Sequence, residues 1–298
     1  MLEFVKAELR DKPRVEEYLR KSNFRGCEYT FGNLFLWGKH YNTEICFTED
    51  LCFEKTGQGK NTMFVYPYGD GSIETAVSLM REYAEHNDIP CVICANKDVT
   101  DKITALYPEA KTELYRDFCD YVYTADDLEN LKGKKFHAKR NHLNRFNEND
   151  WSFEPMTSEN IPECLAMTEL WREENVTDDS EDARSKLTEL DVVKHALELF
   201  DELGFIGGVL RVGGEVQAFT FGERSAENTF VVHVEKALRK YQGAYTAINR
   251  EFVRSLGGKY EYIDREEDTG SENLRKAKMS YNPVFLEEKF LISFNVTS

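Results

Sequence analysis

His233 and Glu235 stand two residues apart in VVHVEKALRKYQGAYTAINREFVRSL, a run that passes from β-branched residues into a helical pattern. On an extended strand such a pair leaves the backbone on one side, so the spacing predicts a shared face. A carboxylate at a strand end is the kind of group that removes a proton from an ammonium before the amine attacks an ester or thioester. Glu235 is therefore the expected base, with His233 assisting. A salt bridge from Glu235 to Lys236 or to a distant arginine is the other reading of the same carboxylate. A backbone N–H near Val234 to Lys236 could hold the oxyanion of a tetrahedral intermediate.

Arg239, Lys240, Gln242, Gly243, Ala244 and Tyr245 lead from that strand into a helix whose Ile248, Phe252 and Leu256 form an inward stripe. A loop at a helix start turns backbone N–H groups and the positive end of the helix dipole toward any anion beyond it. These six residues are the expected seat for donor phosphates; the alternative is that Gly243 merely permits a tight turn and the cations are solvated. Tyr281 could protonate a departing thiolate or ribose hydroxyl, or be an amphipathic residue at the core edge.

Two charged segments flank this region. KGKKFHAKRNHLNR, residues 132–145, holds six Lys or Arg and no acid. Lys139 and Arg140, with His142 and Arg145, could grip a cofactor's outer phosphate or a tRNA backbone, or belong to a solvated linker helix. In YEYIDREEDTGSENLRKAKMSYNP the acids Asp264, Glu266, Glu267 and Asp268 precede Arg275, Lys276 and Lys278. Opposite charges so close must pair or serve a ligand. Pairing is expected and no metal; Arg275 and Lys278 are donor-binding candidates. Cys91 and Cys94 have C-x-x-C spacing but lie in the apolar run IPCVICA and read as reduced core residues.

The elements that must position these groups repeat one order in two halves. The first half opens with an amphipathic helix after Pro13, then an aromatic-rich stretch giving way to short strands, a helix starting at Ser72, the strand CVICA, a short helix and the strand FCDYVY. The second has a helix after Thr157-Ser158-Glu159-Asn160 and another through LDVVKHALELFDEL. Three strands follow, turning at Gly213-Gly214 and Ala226-Glu227-Asn228, then loop, helix, strand, helix and strand. At 298 residues two domains are expected: 1–130, a basic linker at 131–150, and 151–298 with the cleft.

With 38 basic and 54 acidic residues, a net charge of −16 argues against a protein that coats nucleic acid or anionic lipid through its overall field. No apolar run approaches the roughly 20 residues that cross a bilayer, and the charged start lacks a signal peptide's apolar centre. A cytoplasmic protein without stable membrane insertion is expected.

The segments KGKKFHAKRNHLNRF, VVHVEKALRKYQGAYTAINREF and YIDREEDTGSENLRKAKMSYNP together resemble a bacterial family grouped with the C-terminal catalytic domain of phosphatidylglycerol lysyltransferases. The resemblance covers most of the chain and is densest from residue 132 onward. It implies an α/β (α+β) fold of two tandem acyl-CoA N-acyltransferase (GNAT)-like domains, mixed central sheets flanked by helices, the first degenerate and the second holding the cleft, as in the lysyltransferases and the Fem-type aminoacyltransferases. Those relatives draw an amino acid from aminoacyl-tRNA, and a coenzyme A thioester is the other donor such a fold takes. Because the sequence departs from the lysyltransferases in showing no transmembrane portion, a small-molecule or peptide amine is the expected acceptor rather than a lipid. The alternative is a non-catalytic module that binds a nucleotide, an acyl carrier or RNA in the same cleft.

Overall fold

Local signals in the sequence start most of the helices. The Ser72 hydroxyl accepts from the Thr75 N–H to cap Ile73–His86, whose Ala76, Val77, Met80 and Ala84 are buried at helical spacing. Pro13 sits in the first turn of Lys12–Ser22, which buries Val15, Tyr18 and Leu19. The aromatic stretch behaves differently from its composition. Thr30 caps a helix, Phe31–Tyr41, by accepting from the Asn33 N–H, and strands begin only at Glu44–Phe47 and Leu51–Thr56. A cap and tertiary packing here outweigh aromatic β-propensity. The computed structural model describes residues 1–294, so the last four residues of the expected second domain, 295–298, lie outside the described residues.

Two mixed sheets organise the chain. The first has the order Glu44–Phe47, Leu51–Thr56, Met63–Gly69, Val92–Asn96, Lys289–Ser293, Lys111–Leu114. The second runs Phe285–Glu287, Asp120–Thr124, Tyr262–Asp264, Thr229–Ala237, Glu215–Ala226, Ile206–Val212, Trp151–Pro155. The three consecutive strands turn at Gly213-Gly214, both with positive φ, and at Glu227-Asn228, as the sequence predicts.

The halves exchange strands. Asp120–Thr124, from the first half, pairs with Tyr262–Asp264 and Phe285–Glu287 in the second sheet. Lys289–Ser293, near the end of the chain, runs between Val92–Asn96 and Lys111–Leu114 in the first. Neither 130 nor 150 therefore separates the two sheets.

Helices Ile161–Asn175 and Glu181–Glu198 cover one face of the second sheet, their Cys164, Met167, Leu190 and Val193 packing with Phe219, Phe221 and Val234. That core continues into Phe31, Leu34 and Leu36 of the first half. Helices His137–Phe146 and Ala244–Ser255 cover the other face through Leu143, Phe146, Ala247 and Ile248. The basic segment is thus a packed helix, with Leu143 and Phe146 buried. All seven cysteines are buried thiols, and burial pushes Cys91 and Cys94 up to about 12. No helix among the described residues is long and apolar enough to cross a membrane.

Candidate active site

A one-residue slip in strand Thr229–Ala237 decides which groups meet. Val232 lies opposite Gly222 and Val234 opposite Phe221, leaving His233 over as a β-bulge. Gly222 permits this close approach, since a Cβ there would lie 1.8 Å from the Val231 carbonyl oxygen. The extra residue shifts the side-chain alternation by one. Val234 joins the core under Ile161–Asn175, and Glu235 turns to the opposite face, toward Ala244–Ser255. His233 and Glu235 consequently point to opposite sides, not to the shared face their spacing predicts.

His233 faces the junction with the first half and packs against Phe205, ring centroids 5.5 Å apart. Its Nδ1 is 2.7 Å from Glu266 Oε1 and its Nε2 3.0 Å from Glu223 Oε1. Burial alone would lower the imidazole pKa, but hydrogen bonds to the two carboxylates overcome it and lift it to about 10. At neutral pH both ring nitrogens are protonated and neither can accept a proton. The expectation that His233 assists as a base is corrected on this geometry.

Glu235 stands where two parallel strands part. Thr229–Ala237 pairs with Tyr262–Asp264 only from Thr229 to Val231. Beyond Asp264 the chain turns away, Arg265 donating its N–H to the Tyr121 carbonyl. The edge of Thr229–Ala237 facing Tyr262–Asp264 is left open from Val232 onward, and side chains fill the gap. Arg265 Nη2 donates to Glu235 Oε1 at 2.8 Å, and Asn249 Nδ2 donates to Glu235 Oε2 at 3.0 Å. The Glu235 partner is therefore the distant arginine; Lys236 points the other way, to Glu189 at 2.6 Å. Tyr281 closes the floor. Its ring lies 4.6 Å from the Arg265 guanidinium carbon and 3.5 Å from Lys139 Nζ. Its hydroxyl lies 3.4 Å from Thr246 Oγ1, and burial raises its pKa.

The loop after the strand has the expected form but a different charge environment. Gly243 takes φ +96° as the N-cap of Ala244–Ser255, and a Cβ there would lie 2.2 Å from the His142 carbonyl oxygen. The Arg239 N–H donates to Glu174 Oε2 at 3.0 Å and its guanidinium to Asn175 Oδ1 at 2.6 Å. Gln242 accepts from Arg145 at 2.9 Å, and the Tyr245 hydroxyl accepts from Trp171 Nε1 at 3.1 Å. Ala244 is buried, and Lys240 lies over the Tyr241 ring. The adjoining groove, of about 360 Å³, is lined by Leu170, Glu173, Glu174, Glu215, Gln217, Leu238 and Lys240. Three carboxylates beside one lysine repel a pyrophosphate, so this loop does not suit one as the residues stand.

Other expected donor-binding groups are committed elsewhere. Arg140 donates to the Leu131 and Gly133 carbonyls and fastens the turn ahead of its own helix. Arg275 grips Asp268 through Nε at 2.8 Å and Nη2 at 2.9 Å, and also meets Asp117 at 2.7 Å. Lys278 is buried and donates to the Arg265 and Glu267 carbonyls. Arg275 and Lys278 thus shape the turn carrying Arg265, Arg275 with its charge matched by two acids and Lys278 buried against backbone carbonyls. Of the four acids, Asp268 pairs with Arg275 as expected and Glu266 with His233 instead, while Asp264 and Glu267 make no ion pair among the described residues. Among the described residues Cys27, Asp120 and Glu267 place metal-ligand-type atoms within 4.8 Å of one another. The Lys289 ammonium already lies there, 2.9 Å from Asp120 and 3.4 Å from the Cys27 sulfur.

Arg265 and Asn249 were not singled out by residue type and spacing. Asn249 carried a signal, since it is a polar residue on the buried stripe of a helix, and it is 2% exposed. Arg265 lay hidden among the acids of YIDREED.

A family model described as phosphatidylglycerol lysyltransferase, C-terminal, matches residues 19–293. Among solved structures, a conserved protein of unknown function from Bacteroides thetaiotaomicron is 36% identical, covering 99% of this chain and 100% of that one with a TM-score of 0.93. L-PGS from Bacillus licheniformis shares 14% identity over 97% of this chain and 93% of that one, with a TM-score of 0.67. FemX shares 9% identity over 97% and 96% of the two chains, with a TM-score of 0.54. At these lower identities the likeness is one of fold alone. A curated relative, the uncharacterized protein MYCGA3080 of Mycoplasmoides gallisepticum, is 23% identical over 176 residues, which are 58% of this chain. The match spans about half, 55%, of that relative's length.

Proposed function

The chain belongs to the phosphatidylglycerol lysyltransferase C-terminal family, and from that membership we propose that it moves an aminoacyl or acyl group from a phosphate-bearing donor to an amine, with Glu235 as base. Family and fold support acyl- or aminoacyltransferase-like chemistry. The observation that carries the reading is the opening beside Thr229–Ala237, in which Glu235 meets Arg265 and Asn249 above the Tyr281 ring. A carboxylate held by two donors keeps one orientation, so an ammonium entering the gap meets a fixed acceptor for its proton. Tyr281, its phenol raised by burial, acts as the floor on which the cations rest.

Of the two donors, aminoacyl-tRNA is the better fit. A coenzyme A pyrophosphate at residues 239–243 would face Glu173, Glu174 and Glu215. A tRNA can instead run its backbone along the exposed Lys134 and Arg145, outside that groove. The acceptor is a small-molecule or peptide amine.

The test is a donor screen on the purified chain, with radiolabelled aminoacyl-tRNAs and acyl-CoAs against a panel of amines. Label passing from aminoacyl-tRNA to an amine is expected. No transfer from any donor, together with retained tRNA or nucleotide binding, would favour the non-catalytic module.

A further inference from the structure

Two cations share one aromatic ring near Glu235. Lys139 Nζ lies 3.5 Å from the Tyr281 ring centroid, and the Arg265 guanidinium carbon lies 4.6 Å from it. Among the described residues Lys139 has no ion-pair or hydrogen-bond partner, and the buried Arg265 Nη1 has no hydrogen-bond partner. Against these two positive charges stands one carboxylate, Glu235, already engaged by Arg265 Nη2 and Asn249 Nδ2. The immediate cluster therefore carries one surplus positive charge in a protein whose net charge is −16. Gathering like charges in a half-buried place costs free energy that a bound anion would recover.

We infer that Lys139 and Arg265 Nη1 form a subsite for one anionic oxygen group, phosphoryl or carboxylate, carried by the substrate next to its reacting end. The guanidinium offers a planar fork and the ammonium a point charge, the combination that suits such a group. The electrostatics agree, because burial and then the Arg265 charge lower the Lys139 pKa to about 8, with only Glu235 acting the other way. The inference rests on the transfer reading for its meaning, since it places the anion beside Glu235, but its test requires no turnover.

The experiment is calorimetric titration of the full chain with inorganic phosphate and, separately, with acetate. Lys139→Gln is compared with Lys102→Gln, an exposed lysine on helix Lys97–Leu106 of the first half. Circular dichroism melts check that each variant folds. At least one anion should bind the parent, and the ratio between phosphate and acetate tells a phosphoryl from a carboxylate site. Lys139→Gln should weaken that binding about tenfold and Lys102→Gln should leave it unchanged. Absence of binding by both anions, or equal binding by parent and Lys139→Gln, overturns the subsite. Either result leaves the transfer reading to be judged by its own donor screen.

Discussion

His233 ties the two halves together through charge. Glu223, which it meets at 3.0 Å, also accepts the Gly32 N–H at 2.7 Å, so the carboxylate joins strand Glu215–Ala226 to helix Phe31–Tyr41. The imidazole titrates at about 10 when folded and at about 6.5 when unfolded. Its contribution to stability is fully present below about 6.5 and is lost as pH rises toward 10. Urea unfolding at a series of pH values should show stability falling across that window, and His233→Gln should flatten the fall. An unchanged slope in the variant would show that the clasp contributes nothing. At this scale Glu235 was legible as a candidate because a carboxylate between valines and a basic loop stands out. Arg265 was not legible, because an arginine among four acids reads as their counter-charge until the bend after Asp264 turns it to Glu235.

At the scale of elements, the bulge at His233 left no trace in the sequence. Val231, Val232 and Val234 are all buried, so the strand is apolar on both faces and a one-residue slip does not disturb its pattern. Spacing arguments across such a strand fail for that reason, whereas the helices of the same half were legible from their stripes and starting residues. The contact between the loop and the basic helix makes a separate prediction. Gly243 has a φ of +96°, and a Cβ would lie 2.2 Å from the His142 carbonyl. Gly243→Ala should therefore cost roughly 1–3 kcal/mol by urea denaturation and loosen His137–Phe146, seen as faster amide exchange there. A variant as stable as the parent would mean that this packing is not what holds the helix.

Across the whole molecule, the strand exchange ties the two sheets to each other. Order of elements suggested two consecutive domains, but order alone does not say which sheet a strand joins, and Asp120–Thr124 and Lys289–Ser293 cross over. Lys289 adds a buried charge to the crossing, with Asp120 at 2.9 Å and Glu28 at 2.8 Å. Lys289→Met leaves those carboxylates buried without their cation and should cost about 3–5 kcal/mol. A fragment of residues 1–130 lacks the strand between Val92–Asn96 and Lys111–Leu114 and should give a collapsed amide spectrum by NMR. A well-dispersed spectrum from that fragment would show that the first half folds alone. The joined fold places Glu235 beside the edge of Thr229–Ala237 that is unpaired beyond Val231, and the measurement that bears most directly on it is single-turnover transfer from aminoacyl-tRNA by the parent and by Glu235→Gln, alongside donor binding. Transfer slowed by ~10²–10⁴-fold with donor affinity unchanged is the expected result; a variant that transfers at the parent's rate would contradict the assignment of Glu235 as the base.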